Sequence, residues 1–363
     1  MSIRVPFNAL TLGEDAPAVR AAIDRVVASG WFVLGPEVEA FETEFAAASQ
    51  LPHAVGVGTG TDAITLILRA LDIGPGDEVI TPPLSAAYSA LAVMMAGARP
   101  VFTDIDPERL TLDPQQVEAA ITPRTRALLP VHLYGQAADM RPLEAIAARH
   151  NLALVEDAAQ AQLATADGRP VGSIGIAAAT SFYPTKNLGA LGDGGAVLTR
   201  DFQLAARVKR LRNGGQTSRY HHEEAGANSR LVELQAAILR GRLTFIHSWS
   251  DRRRDIASGF GGGLVRASLH VPREFDSGHV YHLFPVLTEH RDALQHHMRA
   301  HGVETLIHYP VPIPRQPALA TTSPAMCATA DRVCAQVVSL PMYPRLSDAA
   351  VSAVTAAAAT FTG

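Results

Sequence analysis

Three segments of the sequence combine residue types that could bind and activate a small organic molecule. The first, VGVGTGTDAI at 55–64, is a strand pattern that runs through a glycine-rich turn into a helix. Free backbone N–H groups at such a helix start, with Thr59, Thr61 and Asp62 nearby, could bind a phosphate. The segment lacks the third glycine of GxGxxG, and no GxxxxGK motif follows it. A tight turn with a threonine or aspartate N-cap is the equally weighted alternative.

The second segment, LALVEDAAQAQ, is a buried strand pattern that ends in polar residues. It places Glu156 and Asp157 at the end of a strand, and Gln160 begins the next segment. In an open parallel sheet, ligands bind beyond the carboxyl ends of the strands. A single carboxylate at a strand end is usually only a cap, so Asp157 needs partners elsewhere to define a site.

The third segment, TSFYPTKNLGALGDGG, places Lys186 in a glycine-rich turn. The chain has only two lysines, Lys186 and Lys209, against 29 arginines. Lys209 lies in ARVKRLR, which is typical of a solvated basic helix face. A desolvated lysine has a pKa below its usual value of ~10.4 and can form a Schiff base, whereas a guanidinium cannot replace it as a nucleophile. Lys186 is therefore the candidate nucleophile.

Together the three segments meet the needs of pyridoxal phosphate. The phosphate of this cofactor needs backbone donors, its aldehyde needs an amine, and its ring nitrogen needs a carboxylate that keeps it protonated. Lys186 follows Asp157 by 29 residues, and the joint occurrence is far more specific than any one segment. The alternative is a nucleotide-dependent oxidoreductase that uses the turn at 56–60, and the missing third glycine counts against it.

Alternating strand and helix patterns predict the elements that position these segments. Two amphipathic helices over 14–49 precede five short apolar strands that alternate with four helices between 53 and 157. This alternation predicts a parallel, doubly wound α/β sheet. One long helix is expected over 229–260. We place a large cofactor-binding domain at 1–245 and a smaller α+β domain at 246–363.

Composition and charge argue against several other classes of protein. The 363 residues are 47% hydrophobic and 18% charged, which is enough to bury a core and excludes a disordered or collagen-like chain. A net charge of −4 without a basic run argues against nucleic acid. Cys327 and Cys334 are too few for a disulfide framework or a cysteine metal site, and no metal is expected. Without a signal peptide or an 18-residue apolar stretch, we expect a cytoplasmic protein without a membrane partner.

The ordered motifs resemble those of the DegT/DnrJ/EryC1/StrS family of sugar aminotransferases, which are fold type I pyridoxal-phosphate enzymes. The resemblance covers nearly the whole chain. Its landmarks are GWFVLGPEVEAFETEFA, VGVGTGTDAI, GDEVITPP, RPVFTDIDPERLTLD, PVHLYGQAADM, VEDAAQAQ, TSFYPTKNLGALGDGGAV, GANSRLVELQAAIL, HYPVPIPRQPA and SLPMYPRLS. The resemblance implies a mostly parallel seven-stranded sheet in the large domain and a homodimer with the active site at the subunit interface.

The resemblance also implies a role for each site residue. Lys186 forms the Schiff base, Asp157 pairs with the pyridine nitrogen, and Gln160 contacts the ring hydroxyl. The implied phosphate ligands are Gly60, Thr61, Ser181 and, from the neighbouring subunit, Asn228.

Four positions depart from the family pattern. Thr59 replaces the usual asparagine before the Gly-Thr pair, Gln162 replaces a frequent histidine, and Pro314 replaces a common C-terminal histidine. The aromatic residue that normally stacks on the pyridine ring aligns with Ala86, and Tyr88 is the candidate replacement. These departures affect the expected substrate contacts more than the expected cofactor contacts.

The resemblance implies transfer of an amino group from glutamate or glutamine to a nucleotide-linked keto sugar. The amine of Lys186 would move the proton between Cα of the donor and the cofactor. The segments VGVGTGTDAI, RNGGQTSRYHHEEAGANSRL and VPFNAL favour a dTDP-linked 3-keto-6-deoxy sugar over a 4-keto sugar. An inositol-ketone aminotransferase and a cofactor-binding regulator without turnover remain as alternatives.

Overall fold

The computed structural model describes residues 3–264, 269–320 and 326–363. Its helices are α1 Ala16–Ser29, α2 Pro36–Ala48, α3 Gly60–Ala70, α4 Tyr88–Met95, α5 Pro114–Ala120, α6 Met140–His150, α7 Phe202–Leu211, α8 Glu233–Leu243, α9 Ile246–Leu264, α10 Arg291–Ala300, α11 Ala328–Gln336 and α12 Asp348–Ala359. Its strands are β1 His53–Val57, β2 Glu78–Thr81, β3 Arg99–Phe102, β4 Thr125–Leu128, β5 Ala153–Asp157, β6 Thr165–Ala166, β7 Arg169–Pro170, β8 Ala177–Ser181, β9 Gly195–Thr199, β10 Gln216–Ser218, β11 His221–His222, β12 Phe284–Leu287 and β13 Val337–Leu340.

A seven-stranded sheet forms the centre of the molecule, with the strand order β1, β9, β8, β5, β4, β2, β3. Strand β9 is antiparallel to both of its neighbours, and the other strands of this sheet run in one direction. The predicted mostly parallel sheet is therefore confirmed. Because β5 and β8 are parallel neighbours, their carboxyl ends lie side by side, and these are the ends that carry Asp157 and Ser181.

Alternate residues of the central strands pack into two separate hydrophobic cores. Leu154 and Ala178 join one core with residues of α2, α6 and α8. Val155 and Ala177 join the other with residues of α3, α4 and α7. Since helices cover both faces, the strands can be apolar without interruption, as the sequence pattern indicates.

The start of α3 is defined by a side-chain cap. The Thr59 hydroxyl oxygen accepts a hydrogen bond from the Asp62 backbone N–H at 3.0 Å, which ends the preceding turn and begins the helix at Gly60. The apolar residues of α3 then pack against the sheet. The first turn of this helix is thereby held at the edge of the sheet where β8 ends.

The prediction of one long helix over 229–260 is wrong, because this part of the chain forms two helices, α8 and α9. The Thr244 hydroxyl donates to the Gly241 carbonyl at 2.9 Å, the acceptor that the next backbone N–H would use in a continuous helix. The Phe245 N–H instead bonds to the Arg242 carbonyl at 2.9 Å. A hydroxyl that competes for a backbone carbonyl thus ends α8 at Leu243, two residues before α9 begins at Ile246.

A further hydrophobic core lies in the C-terminal part of the chain. Residues of α9, α10 and α12 pack around the antiparallel pair β12 and β13. Val5 joins the same core, and its carbonyl accepts the Glu304 N–H at 3.0 Å. The predicted α+β character of this part is confirmed, while the domain limit between 245 and 246 stays a prediction.

No helix in the described ranges combines the length and the apolar character needed to span a bilayer. Within these residues, no group of three or more His, Cys, Asp or Glu side chains has a metal-binding arrangement. Cys327 and Cys334 are buried free thiols.

Candidate active site

Lys186 lies in the loop that joins β8 to β9, directly beyond the carboxyl end of β8. Backbone hydrogen bonds close this loop at its base, from Phe182 N–H to the Gly194 carbonyl at 2.8 Å and from Ala190 N–H to the Phe182 carbonyl at 2.7 Å. The Lys186 N–H also bonds to the Tyr183 carbonyl at 2.8 Å. The glycine-rich turn of the sequence is therefore an ordered loop with a defined position for the lysine.

Gln162 fastens this loop to the end of β8. Its amide nitrogen donates to the Ser181 carbonyl at 2.8 Å and to the Leu188 carbonyl at 3.1 Å, and its oxygen accepts the Leu188 N–H at 2.7 Å. An amide side chain can donate and accept at once. Gln162, at the position of the family's frequent histidine, therefore helps to hold the loop that carries Lys186.

The Lys186 amine forms no hydrogen bond or ion pair with another described residue. Desolvation lowers the pKa of this amine to about 8, although the nearby negative charge of Asp157 acts in the opposite direction. Near neutral pH the amine can therefore both lose and regain a proton, as a nucleophile and general base must.

Asp157 is buried at the end of β5 and is oriented by two hydrogen bonds. The Ser89 hydroxyl donates to Oδ2 at 2.6 Å, and the Ala159 N–H donates to Oδ1 at 3.1 Å. Ser89 belongs to the first turn of α4, the helix that follows β2 in the chain. Sequence reasoning missed Ser89, although a polar residue at a helix start beyond a strand was a usable signal.

Gln160 connects two tyrosines at this edge of the sheet. Its oxygen accepts the Tyr134 N–H at 2.8 Å, and its amide nitrogen donates to the Tyr309 hydroxyl at 3.0 Å. Burial, together with the negative charge of Asp157, raises the pKa of Tyr309 to about 12. Tyr309 was not predicted as a site residue, and its place in the HYPVPIP segment was the available signal.

The predicted phosphate ligands Gly60, Thr61 and Ser181 meet where α3 begins beside the end of β8. A Cβ atom on Gly60 would lie 2.8 Å from the Cβ atom of Ser181, so only glycine permits this close approach. The N–H groups of Gly60 and Thr61 belong to the first turn of α3 and have no intrahelical acceptor. Thr59 serves as the N-cap here, in the position of the family's usual asparagine.

Asn187, next to Lys186, is fixed by two partners. Its amide nitrogen donates to the Val280 carbonyl at 3.0 Å, and its oxygen accepts the Nδ1–H of His282 at 3.1 Å. Desolvation, with the positive charges of Lys186 and Arg253, holds the pKa of His282 well below its usual value. His282 is therefore a neutral imidazole that helps to position the loop, and the sequence offered no local signal for it.

Two predicted site residues are not brought into contact with the others within one chain. The Tyr88 side chain is 65% exposed at the start of α4, and Asn228 is also exposed. The adjacent Ser229 accepts the Gly58 N–H at 2.9 Å and donates to Asp62 at 2.8 Å, which places Asn228 near the phosphate turn. Ring stacking by Tyr88 and a contact of Asn228 across an interface stay predictions.

The residues present fit pyridoxal phosphate. Among the described residues the desolvated Lys186 amine has no competing partner, and Asp157 is held beside it. Gly60 and Thr61 open α3 next to Ser181, and their N–H groups have no intrahelical acceptor. These groups match the aldehyde, the ring nitrogen and the phosphate of the cofactor.

The model of the DegT/DnrJ/EryC1/StrS aminotransferase family matches residues 14–359. A dTDP-3-amino-3,4,6-trideoxy-alpha-D-glucose transaminase from Streptomyces venezuelae is 50% identical over 352 residues, which cover 94% of this chain and 92% of that protein. The erythromycin biosynthesis sensory transduction protein EryC1 from Saccharopolyspora erythraea is 49% identical over 360 residues, which cover 97% of this chain and 98% of that protein.

Among solved structures, DesV of S. venezuelae in complex with a ketimine intermediate superposes with a TM-score of 0.96. It is 49% identical, and the match covers 99% of this chain and 98% of that chain. The predicted fold class is confirmed by this similarity together with the observed sheet.

Proposed function

The chain belongs to the DegT/DnrJ/EryC1/StrS aminotransferase family and is a pyridoxal-phosphate-dependent aminotransferase, and from this premise we propose that it aminates a nucleotide-linked keto sugar. We further propose glutamate or glutamine as the amino donor. The observation that carries the proposal is the Lys186 amine, which pairs with none of the described residues and lies beside Asp157 at the edge of the sheet. The oxidoreductase alternative is wrong, because the family is one of aminotransferases.

Each side chain has a defined task in this proposal. When bound, pyridoxal phosphate supplies an electron sink that lets a proton leave Cα of the donor. Lys186 would hold the cofactor covalently, and its free amine would accept that proton and return it, for which a pKa of about 8 is well suited. Asp157 keeps the ring nitrogen protonated while Ser89 fixes the orientation of its carboxylate. Gly60, Thr61 and Ser181 bind the phosphate.

For the acceptor we propose a dTDP-linked 3-keto-6-deoxy sugar. The relative from S. venezuelae is named as a transaminase of a dTDP-linked 3-amino sugar, and half of the 352 aligned residues are identical. That similarity supports the expectation, drawn from the sequence motifs, that the acceptor carries its keto group at the 3-position. A 4-keto sugar nucleotide and an inositol ketone are the competing acceptors.

The alternative of a cofactor-binding regulator without turnover is not favoured. One relative is named as a sensory transduction protein, but several others are named as sugar transaminases. The lowered pKa of Lys186 favours the enzyme, because a protein that only holds the cofactor has no need for an amine that exchanges protons near neutral pH.

We propose that the protein acts as a homodimer with the active site at the subunit interface. Trp31 and Phe32 are more than half exposed, as is Tyr183 in the Lys186 loop itself. Large exposed aromatic side chains are enriched where proteins associate. A second subunit on this side would cover Tyr88 and bring its own Asn228 to the phosphate site.

Product analysis tests the proposed function. The protein with its cofactor is given glutamate or glutamine and, one at a time, dTDP-linked 3-keto and 4-keto 6-deoxy sugars and an inositol ketone. We expect an amino sugar nucleotide from the 3-keto substrate, identified by mass spectrometry and by the position of the new nitrogen in NMR spectra. Amination confined to another acceptor would correct the substrate, and a cofactor spectrum unchanged by any amino donor would favour the regulator.

A further inference from the structure

A further cavity lies between the loop after β4, helix α9 and the segment 271–285. Its volume is about 380 Å³, which lies within the ~300–1,000 Å³ typical of small-molecule pockets. It shares no lining residue with the cavity that borders Lys186. The two cavities are therefore separate, and the proposed amination does not use this one.

Two guanidinium groups of this cavity carry a charge that no carboxylate balances. Arg109 and Arg273 both line it, and both pack against the ring of Phe275, with Cζ at 4.0 Å and 5.1 Å from the ring centroid. Every Asp and Glu of the chain lies in the described ranges, and none of them forms an ion pair with either group. Packing on an aromatic ring stabilises a guanidinium only modestly, so both groups remain able to pair with an anion.

Gln136, another lining residue, fixes the segment that carries one of these arginines. Its amide nitrogen donates to the Arg273 carbonyl at 3.2 Å, and its oxygen accepts the Phe275 N–H at 2.9 Å. Gln136 is itself buried, so water does not compete for these bonds. The arginine and the ring on which it packs are thus held in a defined arrangement, which reduces the entropy lost when a ligand binds.

His279 adds a neutral donor to the wall of the cavity. It is 8% exposed, and its Nδ1 accepts the Tyr281 N–H at 2.9 Å. Burial and the positive charge of Arg254 lower the pKa of His279 to about 3, so the ring is neutral at pH 7. Since Nδ1 is an acceptor, the ring proton is on Nε2. Nε2 has no hydrogen-bond partner among the described residues and keeps some accessible surface, so its N–H is available to a ligand.

The other charged residues of the lining do not cancel this positive charge. Arg254 already pairs with Asp251 at 2.8 Å. Glu274 is the acidic residue of the lining, and its carboxylate accepts the Tyr281 hydroxyl at 2.6 Å. Three arginines and one glutamate together give the cavity a positive potential, which favours an anionic ligand.

The wall that carries His279 is also bonded to the Lys186 loop. His279 and Tyr281 line the cavity, whereas the Val280 carbonyl and the His282 ring bond to Asn187, the neighbour of Lys186. A ligand in the cavity therefore contacts a segment that helps to position the active site.

We propose that this cavity is a second ligand site, which binds a phosphate monoester with a small apolar body. A phosphate monoester carries a charge of about −1.5 to −2 at pH 7, which matches the guanidinium groups of Arg109 and Arg273. Leu110, Val271 and Phe284 supply apolar wall for the body of the ligand. Inorganic phosphate offers the same charge but cannot use that wall. The inference concerns binding alone and goes beyond the proposed function.

Calorimetric titration of the cofactor-loaded protein with phenyl phosphate tests the site. We expect saturable binding at one site per chain. Arg109→Gln and Arg273→Gln should each weaken it on the order of 10- to 100-fold, as loss of a charged hydrogen bond predicts. Inorganic phosphate should compete for the same site but bind on the order of 10-fold more weakly, because it lacks the apolar body. Succinate, a dianion without a phosphate, should also bind more weakly.

Arg299→Gln is the matched control. Arg299 is exposed on α10, does not line the cavity and forms no ion pair with a described residue. The substitution removes the same charge elsewhere, so we expect the wild-type affinity. If the half-buried Arg109 proves necessary for folding, Arg273→Gln carries the test, since Arg273 is exposed.

Several outcomes overturn the inference. Absence of phenyl phosphate binding would do so, as would binding that neither cavity variant weakens. Binding that the nucleotide-sugar acceptor blocks, and that is insensitive to both variants, would assign the phosphate to the acceptor site. Inorganic phosphate or succinate that binds as tightly as phenyl phosphate would overturn the choice of a monoester with an apolar body. A protein that binds phenyl phosphate through Arg109 and Arg273 but aminates no acceptor would keep this site and lose the proposed function.

Discussion

Lys186 and Lys209 have the same side chain but lie in different surroundings, which give the two amines different roles. Lys209 lies on α7, is 52% exposed and forms an ion pair with Glu42 at 3.3 Å. Lys186 is desolvated in a loop, without an ion pair among the described residues. Burial favours the neutral form of the Lys186 amine, whereas the exposed Lys209 amine is paired with Glu42.

Replacement of each lysine separates these roles. Lys186→Ala removes both the cofactor attachment and the proton carrier, so we expect turnover to fall by at least ~100-fold. Lys209→Ala loses one surface ion pair, which contributes little, and should keep wild-type activity. Steady-state amination rates and the visible absorption of the bound cofactor provide the measurement. Amine exchange that survives in Lys186→Ala would contradict the assignment.

The pKa of Lys186 also predicts a pH dependence. An amine is nucleophilic only when neutral, and this one loses its proton as the pH rises through about 8. We expect the rate at which cofactor-free protein attaches pyridoxal phosphate to rise up to that pH and then level off. Stopped-flow absorbance between pH 6 and 10 measures it. A rate that still rises toward ~10, as for a solvated lysine, would contradict the lowered pKa.

At the scale of elements, the end of β5 is fixed by a buried carboxylate next to Asp157. Glu156 accepts hydrogen bonds from the His132 ring at 3.0 Å and from the backbone N–H groups of Gly172 at 2.8 Å, Ile174 at 2.9 Å and Gly175 at 2.7 Å. Burial raises the pKa of Glu156, but the interaction with His132 and the backbone donors outweigh that effect and hold the pKa below its usual value. The strand is thus tied to the segment that precedes β8.

This carboxylate predicts an acid-sensitive stability. Because its pKa is lower in the folded chain, it stabilises the fold above its unfolded value of ~4.3, and this contribution disappears as the pH falls through the folded pKa. Glu156→Gln replaces an acceptor with an amide that also donates toward N–H groups. We expect a melting temperature several degrees lower at pH 7, by roughly 2–4 °C per kcal/mol lost, and a weaker dependence on pH below 5.

Glu108→Gln is the control for this measurement, since Glu108 is exposed. Differential scanning calorimetry of both variants between pH 3.5 and 7 compares the two curves. If Glu156→Gln follows the wild-type curve throughout, the buried carboxylate does not supply the proposed stability.

At the scale of the whole molecule, the proposed dimer divides one active site between two chains. Lys186 would come from one subunit and Asn228 from its partner. Trp31, Phe32 and, in the Lys186 loop itself, Tyr183 are exposed aromatic side chains that a second subunit could cover. A shared site has a consequence that mixed dimers can test.

Mixed dimers of Lys186→Ala and Asn228→Ala should regain activity. In such a dimer one site carries both substitutions and the other carries neither, so one intact site forms. Co-expression of differently tagged chains, tandem purification and amination assays measure the recovery against each homodimer. If Asn228 serves the site of its own chain, every site in the mixture carries a substitution, and no activity returns.

Part of the site could be predicted from the sequence because it depends on local order. Only two lysines are present, and only Lys186 lies in a glycine-rich turn. The alternation of strands and helices around Asp157 is likewise a local pattern of spacing, and the elements it predicts are observed. These features follow from residue type and periodicity along a short stretch of chain.

The remaining features were decided by tertiary structure. Ser89 and Tyr309 reach Asp157 and Gln160 from segments 68 and 149 residues away. The antiparallel course of β9 likewise depends on which distant segments meet. Local periodicity indicates which face of a helix or strand is buried. Contacts between residues far apart in the sequence depend on how the strands pair and how the helices pack against the sheet. The sequence by itself therefore determined the kind of chemistry, and the fold determined which side chains orient it.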